Sequence, residues 1–191
     1  TRQNRALAFQ GQVTGADGAQ FWEVFVVDLP DDLTQPSPDG PLAGTLAGRP
    51  TPPLGTIQRR VTRTGNRKYP GLCAPRHWLR SSGDGSRIAF LMRDDLGVAQ
   101  LWSVSPNGGP PTQITRDKWG VASAFTWRPD SRAIAYAADN SIFTVDVATG
   151  ICLRRTPRSS DQDAPSPLAC VYSPDGSQSA FLRRAADIPC A

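Results

Sequence analysis

Histidine occurs once in these 191 residues, at His77. A multi-histidine metal site is therefore excluded, and any catalytic triad would have to use that single base. No G-x-S-x-G nucleophile elbow, P-loop, dinucleotide fingerprint or EF-hand loop is present. The four cysteines, at 73, 152, 170 and 190, contain no C-x-x-C pair, which argues against a zinc ribbon or a thioredoxin-type site. No run approaches eighteen consecutive apolar residues, so no membrane-spanning helix is expected. Charge is modest: 21 basic against 17 acidic residues leave +4, scattered along the chain, and nucleic-acid binding is not indicated. Neither a cofactor nor a metal is expected, and no catalytic set assembles from these residues.

What the chain has in quantity is turn chemistry, with 17 glycines and 18 prolines, and an internal repeat. Three strings align on their aspartates: WLRSSGDGSRIAFL around Asp84, FTWRPDSRAIAYAAD around Asp130 and CVYSPDGSQSAFLR around Asp175, spaced about 45 residues apart. Each ends in a small residue and an aromatic, at Ala89-Phe90, Ala135-Tyr136 and Ala180-Phe181, with a fainter copy at Ala8-Phe9. Downstream, Gln100-Leu-Trp-Ser-Val104 matches Ser141-Ile-Phe-Thr-Val145 and Gln20-Phe-Trp-Glu-Val24. Gln113-Ile-Thr-Arg116 matches Arg60-Val-Thr-Arg63 and, loosely, Arg154-Arg-Thr-Pro157. Proline fixes one φ in each Pro-Asp-Gly turn, aspartate bonds the following backbone and glycine accepts a positive φ, so each string reads as a tight hairpin. Alternation in Phe143-Thr-Val-Asp-Val147 predicts a half-buried strand. No window keeps a 3.6-residue period. Four short strands per unit of about 45 residues is the signature of a β-propeller blade.

These strings resemble the TolB-type (WD-like) blade, whose pattern is aromatic-Ser-Pro-Asp-Gly followed by a hydrophobic-Ala-Phe strand. The stretch from Pro75-Arg-His-Trp78 to Thr126-Trp127 is also similar to the YidR-like family of uncharacterised bacterial propellers. The resemblance covers about residues 58–184, and 1–28 more faintly. Two departures stand out: Gly83 in place of proline and Ser131 in place of glycine. The expected fold class is all-β: a propeller of four-stranded antiparallel blades, of which 1–191 forms one incomplete arc of about three to four blades. Residues 1–65 are read as a partial blade, 72–116 and 119–157 as blades, and 165–184 as a second partial one. Segment 30–57, seven of whose 28 residues are proline, reads as an insertion between the third and fourth strands of the first blade. Trp22, Trp102 and Trp127 fall on repeat strands and are expected in the core, whereas Trp119 is expected to be partly exposed.

An open arc leaves faces and edges uncovered, so the rest of the ring is expected on further residues or on another chain. Thr1 is not methionine and no apolar leader follows it. A processed or partial polypeptide is therefore expected, in a periplasmic or a cytoplasmic bacterial setting. Cys152 and Cys170 are expected at opposite ends of a blade and not bonded to each other, with Cys73 and Cys190 left open. The loops expected around the channel mouth carry Arg76, His77, Asp94, Trp119 and Asp139, whose chemistry the repeat does not require. They are the candidate ligand-binding residues, although for His77 by itself the favoured reading is a structural anchor of its entry loop. The expected function is non-catalytic: a binding or scaffold module recognising a protein or small ligand. The alternative is a propeller enzyme, a sugar hydrolase or lyase or the propeller part of a serine peptidase, with catalytic groups elsewhere.

Overall fold

The computed structural model describes residues 5–73 and 78–183. These contain thirteen strands and no helix. The first sheet is formed by β1 (Ala6–Thr14), β2 (Gln20–Asp28) and β3 (Ile57–Arg60). The second is formed by β4 (Arg80–Ser81), β5 (Ile88–Arg93), β6 (Ala99–Val104) and β7 (Thr112–Gln113). The third comprises β8 (Thr126–Trp127), β9 (Ala133–Ala138), β10 (Ser141–Asp146) and β11 (Cys152–Arg154). The fourth pairs β12 (Pro165–Tyr172) with β13 (Ser179–Arg183). Every pairing is antiparallel, and within each sheet the strands lie side by side in chain order.

The sheets stack face to face in chain order, as blades of an incomplete propeller arc. Val24 and Val26 of the first sheet pack with Phe90, Met92 and Trp102 of the second. The other face of the second sheet, with Ala89, Leu91 and Leu101, packs on Trp127, Ile134, Tyr136 and Phe143 of the third. Ala135, Ala137 and Ile142 on the far face of the third meet Cys170 and the half-buried Phe181 of the fourth. This stacking explains why β5 reads Ile-Ala-Phe-Leu-Met: a strand covered on both faces needs apolar residues at every position. It also corrects the half-buried expectation for β10. Ser141 and Thr144 are buried as well as Ile142, Phe143 and Val145, and the Thr144 hydroxyl accepts a bond from Arg155 Nε at 2.7 Å. Trp127 and Tyr136 lie on the adjacent strands β8 and β9.

A recurring side-chain bond fixes the register of the repeats. The backbone N–H groups of Val24, Leu101 and Ile142 each donate to a threonine hydroxyl, those of Thr62, Thr115 and Thr156, at 2.9, 2.9 and 3.0 Å. The aromatic pairs obey the same register: Phe9 faces Phe25, Phe90 faces Trp102 and Tyr136 faces Phe143. Phe25, not Trp22, is thus the counterpart of Trp102. Aligning the first copy on its tryptophan is wrong by three residues, and Trp22 is correspondingly 37% exposed rather than in the core.

At the end of the sheets that carries the β4–β5, β8–β9 and β12–β13 connections, the turn rim, two carboxylates organise their own hairpins. Asp84 accepts from the Ser82 hydroxyl at 2.6 Å and from the Ser86 N–H at 3.0 Å. Asp175 accepts from the hydroxyls of Ser173 and Ser177 and from the Ser177 N–H. The serine hydroxyls, chiefly Ser82 and Ser173, hold both carboxyls down at about 2. The two departures from the blade pattern meet here. A Cβ on residue 83 would lie 2.8 Å from the Pro129 carbonyl oxygen, so the second sheet carries glycine where the pattern has proline. Ser131 holds a left-handed φ of 61°, and its hydroxyl accepts the Asp84 N–H at 3.0 Å. One residue makes room and the other makes the bond. Backbone geometry alone therefore does not account for this rim.

Candidate functional site

The opposite end, the loop rim, carries the β5–β6 and β9–β10 hairpins and the connections between sheets. Asp139 and Asn140 turn the β9–β10 hairpin with φ of 45° and 52°, the two-residue left-handed turn that suits twisted strands. The Asp139 carboxylate is paired twice, with Arg154 at 2.6 Å and Arg158 at 2.8 Å, and Arg154 in particular holds its carboxyl below the ordinary value. The Arg154 guanidinium also donates to the Ser141 hydroxyl. Fixed at one edge, its plane lies 4.7 Å from the centroid of Phe143 and 5.6 Å from that of Trp119. Trp119 reaches in from the connection between β7 and β8. Its ring is 6.0 Å from Phe143, Lys118 Nζ lies 5.2 Å from it, and it remains 45% exposed. An ordered guanidinium beside an open indole offers charge, hydrogen bonding and an apolar plate within one patch.

Beneath the patch, the buried Tyr136 hydroxyl donates to Asp117 at 2.7 Å and lies 3.3 Å from Cys152 Sγ. Burial pushes the Tyr136 hydroxyl far above its ordinary value and raises the Cys152 thiol as well. Gln100, almost fully buried, braces the neighbouring hairpin. Its amide donates to the Asp117 carbonyl at 2.7 Å and to Asp94 at 3.2 Å, while its oxygen accepts from Thr115 at 2.6 Å.

The register explains why the guanidinium stands where it does. Glu23, Gln100 and Ser141 are counterparts, each preceding the residue clamped by a threonine. Glu23 is fully buried and spends its oxygens on Arg60, Thr62 and Thr64. Gln100 spends its amide as above. Arg154 pairs opposite Phe143 as Arg60 pairs opposite Phe25, and each guanidinium donates to the residue before the clamp, Ser141 in the third sheet and Glu23 in the first.

Of the candidate residues, Trp119 and Asp139 are joined through Arg154. Asp94 sits on the adjoining hairpin, accepting from the N–H groups of Leu96 and Val98 and from Gln100, so it shapes its own turn. Arg76 and His77 lie outside the described residues. Arg154, Arg158 and Phe143 were missed, because matching Arg154-Arg-Thr-Pro157 to the repeat made Arg154 look like a strand residue only. Cys73, Cys152 and Cys170 carry free thiols, and burial pushes Cys73 and Cys170 up to about 11. The third sheet separates Cys152, against its second-sheet side, from Cys170 on its fourth-sheet side. No group of three or more His, Cys, Asp or Glu among the described residues is placed to hold a metal ion. A cavity of about 560 Å³ lies at the turn rim between the first two sheets.

No protein-family model matches the chain. The Escherichia coli K12 protein named "Uncharacterized protein YidR" is 42% identical to it over 182 residues, which take in 94% of this chain and 43% of that protein. The chain thus spans less than half the length of that relative. Among solved structures, it is similar to a protein of Agrobacterium tumefaciens described as a TolB, with 19% identity and a TM-score of 0.47 over 92% of this chain and 53% of that one. It is also similar to an oligogalacturonate lyase of Vibrio parahaemolyticus, with 12% identity and a TM-score of 0.48 over 92% of this chain and 36% of that one. The antiparallel sheets stacked face to face in chain order, with no helix among the described residues, make the fold all-β and of the propeller type.

Proposed function

We propose that this chain is a non-catalytic binding or scaffold part of a β-propeller, recognising a protein or a small ligand through its loop rim. One observation carries the reading: an exposed Trp119 ring beside an Arg154 guanidinium held in place by Asp139 and Ser141. The strand hydrogen bonds of the third sheet do not require that arrangement, and tryptophan with arginine is the pairing that dominates recognition surfaces. Asp94 on the next hairpin is proposed as part of the same surface, and Arg76 and His77, which lie outside the described residues, are kept as proposed ligand-binding residues. The test is affinity capture followed by titration, comparing wild type with Trp119→Ala and Arg154→Ala. Loss of affinity by tenfold or more in both variants, at unchanged melting temperature, supports the reading. Unchanged affinity in both overturns it. Turnover of a sugar or peptide substrate by the chain alone would replace it with the enzyme alternative.

A further inference from the structure

The loop-rim patch has an equivalent one sheet earlier. The connections after β3 and after β7 each carry a lysine, an aromatic residue and a glycine of positive φ: Lys68, Tyr69 and Gly71 (φ 80°), and Lys118, Trp119 and Gly120 (φ 72°). The residue after each glycine bonds the position before Glu23 or Gln100, Leu72 N–H donating to Trp22 O at 2.9 Å and Val121 N–H to Ala99 O at 2.8 Å. The two lysine–aromatic pairs therefore stand at equivalent places. Their geometry agrees: Lys68 Nζ lies 5.3 Å from the Tyr69 ring, and Lys118 Nζ 5.2 Å from that of Trp119. A guanidinium over the strand aromatic completes both. Arg154 covers Phe143, and Arg67 lies 4.6 Å from the centroid of Trp102, the counterpart of Phe143. Gln113 stands opposite Trp102 where Arg154 stands opposite Phe143, and the connection supplies the arginine instead.

Both places hold spare donors. Among the described residues, Lys68 Nζ reaches only the Asp95 carbonyl, at 3.4 Å, Lys118 meets no carboxylate, and Arg158 bonds through Nε alone. The nearby acids are engaged: Asp95 with Arg67, Asp139 with Arg154 and Arg158, Asp94 with its own hairpin, Asp117 with Tyr136 and Asp161 with Asn140. Sheets that face each other lie about 10 Å apart, so a ligand spanning both places needs anionic groups at that spacing. A polyproline II segment supplies it, because with three residues per turn positions i and i+3 share one face about 9 Å apart. We propose that the loop rim holds two equivalent stations, one at Arg67, Lys68 and Tyr69 and one at Lys118, Trp119 and Arg154. Together they take an extended, proline-rich acidic segment of a protein partner. This rests on the loop-rim reading above and gives its partner a chemistry.

The probe is the peptide Glu-Pro-Pro-Glu-Pro-Pro-Glu, titrated calorimetrically into the chain at low salt. It should bind at least tenfold more tightly than its glutamine analogue. It should also bind at least fivefold more tightly than Glu-Glu-Glu-Pro-Pro-Pro-Pro, which has the same composition without the spacing. Lys68→Glu and Lys118→Glu, both at exposed positions, should each weaken it at least fivefold, because losing either station leaves single-site binding. Equal affinity for the spaced and unspaced peptides, or none for either, overturns the proposal. A Lys68→Glu variant that binds like wild type, while Lys118→Glu and Trp119→Ala are weakened, also overturns it and leaves the loop-rim reading standing with one station. That reading itself falls only when Trp119→Ala and Arg154→Ala capture a partner unchanged. Tighter binding of an acidic oligosaccharide than of the spaced peptide would overturn the assignment to a protein segment.

Discussion

The first and third sheets contain the same aromatic pair in the same register, with opposite surroundings. Phe9 and Phe25 lie 5.6 Å apart and Tyr136 and Phe143 5.8 Å apart, ring over ring in both cases. Tyr136 and Phe143 are buried because the second sheet covers that face, whereas Phe9 and Phe25, with no sheet before theirs, are only half-buried. The geometry of a blade is thus set within the blade, by hairpin turns and the threonine clamp. Its burial is supplied by the neighbour. Stability should therefore be distributed unevenly along the arc, greatest where a sheet lies between two others.

Truncation of the two counterparts tests this most directly. Tyr136→Ala should cost about 3–5 kcal/mol in urea unfolding, and Phe9→Ala about 1 kcal/mol, since little apolar area is removed from water at the uncovered face. Equal costs would break the comparison. The turn rim sharpens it between the second and third sheets. Restoring the pattern residue by Gly83→Pro should destabilise by about 1–3 kcal/mol, because the ring would meet the Pro129 carbonyl. A stabilised variant would show that the two turns do not press on each other. Ser131→Ala should cost about 1 kcal/mol through the bond lost from the Asp84 N–H, whereas Ser131→Gly, which relieves the left-handed φ, should be close to neutral. The smallest effect expected is with pH. Asp84 and Asp175 sit at about 2 when folded against an ordinary 3.8, so their contribution is complete above about pH 4 and is lost as pH falls through 2. The urea midpoint should decline across that window, and the Asp84→Asn/Asp175→Asn double variant should flatten the decline.

The stacked blades were legible because their information is local. Pro-Asp-Gly turns and Ala-aromatic strands recur at a fixed spacing, and every strand pairs with its neighbour in sequence. Trp22 was misread because tryptophan was weighed above the backbone clamp, which leaves only a single threonine as its mark. The loop-rim patch was half legible. Trp119 and Asp139 stood out as unexplained by the repeat, but the residue joining them, Arg154, is contributed by a strand and falls on a repeat position, opposite Phe143.

The connection from β2 to β3 has a consequence for the free energy of the unfolded chain. Twenty-eight residues separate these strands, against seven between β6 and β7. Closing a fourfold longer loop costs about 1.2 kcal/mol more in chain entropy, at about 0.6 kcal/mol per doubling. The segment carries its own restraints: prolines that already limit the unfolded ensemble, and Asp32 oxygens that accept from Thr34 and Gln35. A shortened connection would therefore be an easier one to close, and the long one persists in the sheet that has the least burial to hold it together.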